Sequence, residues 1–196
     1  MAVIIATKGP AWVERSGWKY SAEKGMELTA GDKIEVGQQG EVKVKFFNRH
    51  TVRIGQGSEL IVSKLEKEER SELVSVYLNV GQVMVEVWKR LGSIIEFSVE
   101  TPSAIAGVKG TKFRVAVDDL GKTQVDVTEG RVELIGKADG SKITLTRGQS
   151  SVVNPGGKPE LMQKKPDALR NAPENSKQGW GMDNQSGGTG GKGGRK

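Results

Sequence analysis

Few residues in this chain could do covalent chemistry. It has one histidine and no cysteine, which removes thiolate nucleophiles, thiolate metal sites and disulfide frameworks together. His50 stands in Asn48-Arg-His-Thr51 between two strand-like runs, and a hairpin-turn residue there needs no functional explanation. A nucleophile needs a base beside it, and metal centres draw on several His, Cys or clustered carboxylates. The sequence supplies neither pattern. Glu86, Glu96 and Glu100 fall in alternating runs; a cross-strand carboxylate pair could serve glycoside hydrolysis, but any charged sheet makes such pairs by chance. Two glycine–lysine stretches imitate phosphate loops and fail. Gly191-Lys192 lacks the required glycine at Ser186 and the hydroxyl residue at Gly193, while Gly107-Val-Lys-Gly-Thr111 has the wrong order and opens a strand instead of a helix. The expectation is a protein that is not an enzyme, with no catalytic residue, metal or cofactor.

What remains is binding chemistry. Trp12 alternates with Ala11 and Val13, and Trp88 is out of phase with Val83, Val85 and Val87, so Trp12, Trp18 and Trp88 are the candidate exposed aromatics. On a basic groove they would be stacking platforms for a polymer; as caps over a sheet they would be structural. The formal net charge of +6 allows anionic partners, but it comes from 30 basic residues mixed with 24 acidic ones, the composition of an ordinary mixed surface.

The elements that must position these residues are strands. Val42, Val44 and Phe46 alternate with Glu41, Lys43 and Lys45; Val74, Val76, Leu78 and Val80 repeat the period, as do Ile95, Phe97 and Val99. Later pairs such as Val125 and Val127, or Val132 and Leu134, continue it. Alternation rich in β-branched residues means half-buried strands, and glycine-containing breaks at Gly55, Gly81, Gly121 and Gly130 supply the turns. Ser63 to Leu73 carries a charged run that suits a long hairpin tip better than a helix, because strands flank it on both sides. The fold class is all-β: many short antiparallel strands in a sandwich or a stacked β-solenoid-like arrangement, which covers strand edges.

The pattern stops near Asn154-Pro-Gly-Gly-Lys-Pro159, so residues 1–154 form the β domain. Residues 155–196 form a Pro/Gly-rich basic tail, largely disordered because it cannot bury a core. No apolar run approaches the roughly 20 residues that span a bilayer. Met1 to Ala6 lacks the basic start and length of a signal peptide, so the chain is cytoplasmic or begins after a processed leader.

The stretch Thr101-Pro-Ser-Ala-Ile-Ala-Gly-Val-Lys-Gly-Thr-Lys-Phe-Arg-Val115 resembles the signature of the FecR family of extracytoplasmic β domains. The matching residues are Thr101, Pro102, Ala104, Ala106, Gly107, Lys109, Gly110, Thr111 and Phe113. Glu129-Gly130 resembles the family's following turn, Gly148-Gln149 its closing strand, and Leu28-Thr-Ala-Gly-Asp32 its lead-in. The likeness runs from Val3 to Val153. It departs at Asn48–Thr51, where the family turns with Asp-Gly-Ser. The sigma-factor-binding segment and membrane helix of the family's iron-uptake regulators are also missing, so sigma-factor regulation does not carry over. What the resemblance implies is a periplasmic or extracellular non-enzymatic module that binds a protein or an envelope polymer, in envelope signalling or cell-surface assembly. Attachment to a membrane would then come only through an absent or processed leader or anchor. Nucleic acid is the disfavoured partner, and a nucleic-acid-binding β protein using the basic tail is the alternative. The signature residues have no catalytic role in the family. Ser103, Ala104, Ala106, Gly107 and Gly110 would let two backbones approach closely, or the stretch would be an open edge for a partner strand.

Overall fold

A computed structural model describes residues 1–162. The period-two runs form strands throughout. The first group is β1 (Ala2–Lys8), β2 (Ala11–Arg15), β3 (Trp18–Ser21), β4 (Glu27–Leu28), β5 (Lys33–Val36), β6 (Glu41–Phe46), β7 (His50–Ile54) and β8 (Glu59–Lys67). They are followed by β9 (Ser71–Glu86), β10 (Ile94–Glu100), β11 (Ala104–Val108), β12 (Lys112–Val117) and β13 (Thr123–Glu129). The last are β14 (Arg131–Gly136), β15 (Lys142–Thr146), β16 (Ser150–Val153) and β17 (Glu160–Leu161). No helix occurs among the described residues. The charged run after Ser63 closes the β8–β9 hairpin: Lys64 to Lys67 pair in the ladder with Glu72 to Ser75, and residues 68–70 alone form the tip.

The strands make two layers. Sheet A runs β4-β1-β6-β7-β9-β12-β13-β16-β17. Sheet B runs β3-β2-β5-β8-β9-β10-β11-β14-β15. β9 belongs to both and joins them into one 17-stranded sheet folded back on itself without closing. From β10 onwards the hairpins fall alternately on B, A, B and A, so β11 pairs β14 and β13 pairs β16. The result is a sandwich assembled in solenoid fashion.

Gly81 is the corner. Before it β9 buries Val74, Val76 and Leu78; after it Val83, Val85 and Val87 are buried, so the inward phase shifts by one residue. Gly81 has φ +97°, and a Cβ there would lie 2.5 Å from Ser58 Cα, so only glycine fits. Because β9 ends in sheet A, the chain must return to the start of sheet B, and β10 enters alongside the first half of β9 in parallel. That ladder is the exception to the expected antiparallel pairing. The inward residues of both sheets form one core, including Phe46, Phe97 and Phe113, with Phe46 and Phe97 edge to face at 5.9 Å.

β17 pairs with β16 through Ser151 and Leu161, carrying the ladder past the Asn154–Pro159 break. The tail from residue 163 onwards lies outside the described residues.

Candidate functional site

His50 does not lie in the turn where the sequence suggested it. Phe47 and Asn48 take the left-handed angles (φ 51° and 57°), which leaves His50 as the first ladder residue, opposite Phe46. It is fully buried. The Trp88 N–H donates to its Nδ1 (3.2 Å), which puts the ring proton on Nε2, facing Glu72 Oε2 at 2.9 Å. His50 comes from sheet A and Glu72 from sheet B, so the pair bridges the layers. Burial pushes the imidazole pKa down, against the pull of Glu72. With a carboxylate on one nitrogen and a backbone amide on the other, His50 has no hydroxyl to activate.

The register separates the tryptophans. Trp12 pairs with Ser21, and Arg15 pairs with Trp18, which puts Trp12 and Trp18 on opposite faces of the β2–β3 hairpin. Trp12 carries Lys19 Nζ 4.8 Å from its ring centroid. Trp88 is exposed just after β9, next to His50.

The signature divides in two. Its buried part holds the fold. Thr101 Oγ1 donates to Ala104 O (3.1 Å) and accepts from Ala104 N–H (2.9 Å). Thr123 donates to Thr101 (2.7 Å), and Ser103 donates towards Thr123 (2.7 Å) and Val153 O (3.1 Å). This buried hydroxyl chain ties the starts of β11 and β13 to the end of β16. Thr111 Oγ1 donates to Arg131 O (2.8 Å) and accepts from Arg131 N–H (3.3 Å). A Cβ on Gly130 would sit 2.8 Å from Gly110 O, so these two backbones do approach closely. Ala104, Ala106 and Phe113 are buried, whereas Pro102 is exposed ahead of β11. Gln149 Oε1 accepts from Thr146 N–H (2.7 Å), closing the turn that contains Gly148; Glu129 is exposed. In the lead-in, Thr29 N–H (2.8 Å) and Arg15 Nε (2.7 Å) donate to Asp32. Burial raises the Asp32 pKa, but these partners outweigh it and the carboxyl ionises below its ordinary value.

Gly107 breaks the expectation of close approach. Its φ lies outside the left-handed region, and an added Cβ would meet only Glu133 O, at 4.0 Å. It faces outwards from a central strand of sheet B. The register aligns Lys64, Ser75, Ser98, Gly107 and Glu133 in one row across β8, β9, β10, β11 and β14. Ser75, Ser98 and Gly107 make a low floor. Leu73, Glu96 and Lys109 rise on one side of it and Glu100 on the other, around a cavity of about 1140 Å³. The row continues to Thr144 on β15; five inter-strand steps of about 4.8 Å give a trough about 24 Å long.

Glu86 lies on sheet A, bridged to Lys112 at 2.6 Å, away from Glu96 and Glu100 on β10. Among the described residues, no group of three His, Asp or Glu could hold a metal ion. No helix among them is long and apolar enough to cross a membrane. The surface can hold an extended ligand against hydroxyls, a bare backbone and charged walls.

The family model described as FecR protein matches residues 32–133. The chain belongs to the FecR family. The match opens at Asp32 and takes in the trough floor from Ser75 to Glu133. Two crystal structures of a proposed anti-sigma factor from Parabacteroides distasonis ATCC 8503, at 1.65 and 2.50 Å resolution, share the fold. Both align with a TM-score of 0.55 at 21% identity, over 73% and 70% of this FecR chain. The alignments cover 63% and 62% of the neighbours, so this chain spans less than two thirds of their length. No curated protein matches it.

Sequence reasoning named Gly107 and Lys109 but missed their neighbours in the trough, Ser75, Ser98, Glu133 and Arg131. The only signal for these was their phase: each sits one residue out of step with a buried Val, Phe or Leu.

Proposed function

We propose that this FecR chain is a non-catalytic recognition module working outside the cytoplasm in a regulatory role, and that it docks a protein or envelope polymer in the trough over sheet B. The observation that carries the reading is Gly107, a central strand position left bare although neither φ nor neighbouring atoms require it. Glycine inside a strand weakens the sheet and marks places where a ligand or another backbone comes close. The cavity exceeds the roughly 300–1,000 Å³ of small-molecule pockets, and the row of residues beneath it crosses six strands, which suits a polymer better than a metabolite. Family membership supports the regulatory role, and the description of the solved neighbours as a proposed anti-sigma factor is in keeping with it.

The test is photo-crosslinking in the producing cell, with the reactive group at Ser98 in the trough or at Lys43 on the outer face of sheet A. A discrete adduct from position 98, absent from 43 and lost with Gly107→Trp, is expected. The same adducts from both faces, or adducts only from position 18, would overturn the reading. Because the chain has no cysteine, Ser98→Cys adds a single thiol that reports the compartment. It should react with a membrane-impermeant maleimide while the cytoplasmic membrane is intact.

A further inference from the structure

We propose that the occupant of the trough is an extended polypeptide segment carrying carboxylates towards one end. The inference rests on the trough being the docking face, and it adds the chemistry of the ligand. Four cations gather along one wall of the cavity, on the stretch nearest β14 and β15. Lys109 precedes the Gly110-Thr111 junction, Arg131 is held to Thr111 by its own backbone hydrogen bonds, and Arg147 follows Thr146, which pairs with Arg131. The stem of Lys89 crosses Gly110, where an added Cβ would lie 2.2 Å from Lys89 Cγ. Among the described residues none of the four has a carboxylate within 4.0 Å.

The other charges of the trough are paired except one, Glu96, which the register sets beside Lys109. Glu100 is paired with Lys137 at 3.5 Å, Glu133 with Lys142 at 3.7 Å and Lys64 with Glu66 at 3.2 Å. Two unpaired arginines and two lysines favour carboxylates or phosphates, arginine in the bidentate manner. A uniformly charged polymer, whether nucleic acid or anionic glycan, would also run its charges past the unpaired Glu96 and over Ser75, Ser98 and Gly107, where no free cation among the described residues answers them. A polypeptide acidic at one end meets the cations there and leaves uncharged side chains over Ser75, Ser98 and Gly107, against Leu73. About 24 Å accommodates about seven extended residues at roughly 3.3 Å each.

The experiment is selection from a random peptide library against the full chain, with recovered peptides measured by fluorescence anisotropy. The comparison proteins are Gly107→Trp, the double variant Lys109→Glu/Arg131→Glu and the milder Lys109→Gln/Arg131→Gln, each checked for an unchanged far-UV spectrum and melting curve. We expect peptides with Asp and Glu concentrated at one end, bound at least about tenfold more weakly by Gly107→Trp and by the charge reversal. The glutamine pair should give a smaller loss, and added salt should weaken binding. Peptides that need Gly107 but show no acidic bias would overturn the charge assignment and leave the docking face standing. Recovery only of peptides indifferent to Gly107→Trp would overturn the docking face as well. Heparin or a single-stranded oligonucleotide binding more tightly than any peptide, with the same dependence on Lys109 and Arg131, would reassign the site to a uniform polyanion. Self-association abolished by the charge reversal would reassign it to a second copy of the chain.

Discussion

Replacing Gly107 by alanine should leave the fold intact and raise its stability. The added methyl group meets nothing nearer than Glu133 O at 4.0 Å, in a backbone conformation open to any residue. The substitution then acts mainly by restricting the unfolded chain, a gain of about 0.4–1 kcal/mol. For a domain of this size that is an increase in Tm of about 1–4 °C. Gly81→Ala is the counterpart. Its methyl group would lie 2.5 Å from Ser58 Cα at φ +97°, combining a left-handed cost of about 1–2 kcal/mol with overpacking of about 1–3 kcal/mol. The expected loss is about 2–5 kcal/mol, a large share of the 5–15 kcal/mol that holds a typical domain folded.

Urea unfolding followed by tryptophan fluorescence and far-UV circular dichroism measures both variants. The midpoints should move in opposite directions at constant m. A destabilisation of Gly107→Ala by more than about 1 kcal/mol would refute the reasoning. The glycine would then be a requirement of the fold, and the docking face would lose its main support.

Three further outcomes are expected. His50→Ala should cost about 3–5 kcal/mol because it leaves the buried Glu72 with only the distant Lys67 at 3.9 Å and opens a cavity beside Phe97, whereas Glu72→Gln, which keeps a polar partner for the ring, should cost less; urea midpoints decide both. The native His50 pKa lies below its unfolded value of about 6.5, so the unfolded chain binds the extra proton first. Its contribution is fully present above about pH 6.5 and is lost as pH falls from there towards the native pKa, and His50→Gln should flatten that slope in a pH series of unfolding midpoints. Thr123→Val, nearly the same shape, removes the hydroxyl between Ser103 and Thr101 and should cost about 1–3 kcal/mol in the same assay.

The layers were legible because each strand of this fold buries one face. Val74, Val76 and Leu78 and then Val83, Val85 and Val87 follow the same period in opposite phase, and the slip falls at Gly81, where the backbone turns the corner. Two kinds of information were hidden. The turn at Phe47 and Asn48 places two successive non-glycine residues at positive φ, a conformation that asparagine tolerates and phenylalanine rarely adopts, so a turn drawn by residue type shifted and left His50 in the loop. The trough was hidden because its floor gathers Ser75, Ser98, Gly107 and Glu133 from four strands, and register across a sheet is a tertiary fact that no local spacing encodes.

The signature reads as one motif in sequence, yet a strand cannot present a single motif to a single surface. Alternation along β11 sends Ala104, Ala106 and Val108 into the core and turns Ile105, Gly107 and Lys109 outwards. The inward residues are explained by the core, and Thr101 and Thr111 by their backbone and hydroxyl partners. The outward residues have no such account: the fold would accept a side chain at 107, and it provides no carboxylate partner for Lys109. A fold-only explanation therefore accounts for half of the stretch. The other half is what the proposed partner would account for, lying over the sheet, coming close to backbone at Gly107 and bringing negative charge to Lys109 and Arg131. Those three requirements fall on the same face of the same strands, which is why a docked acidic peptide explains them together.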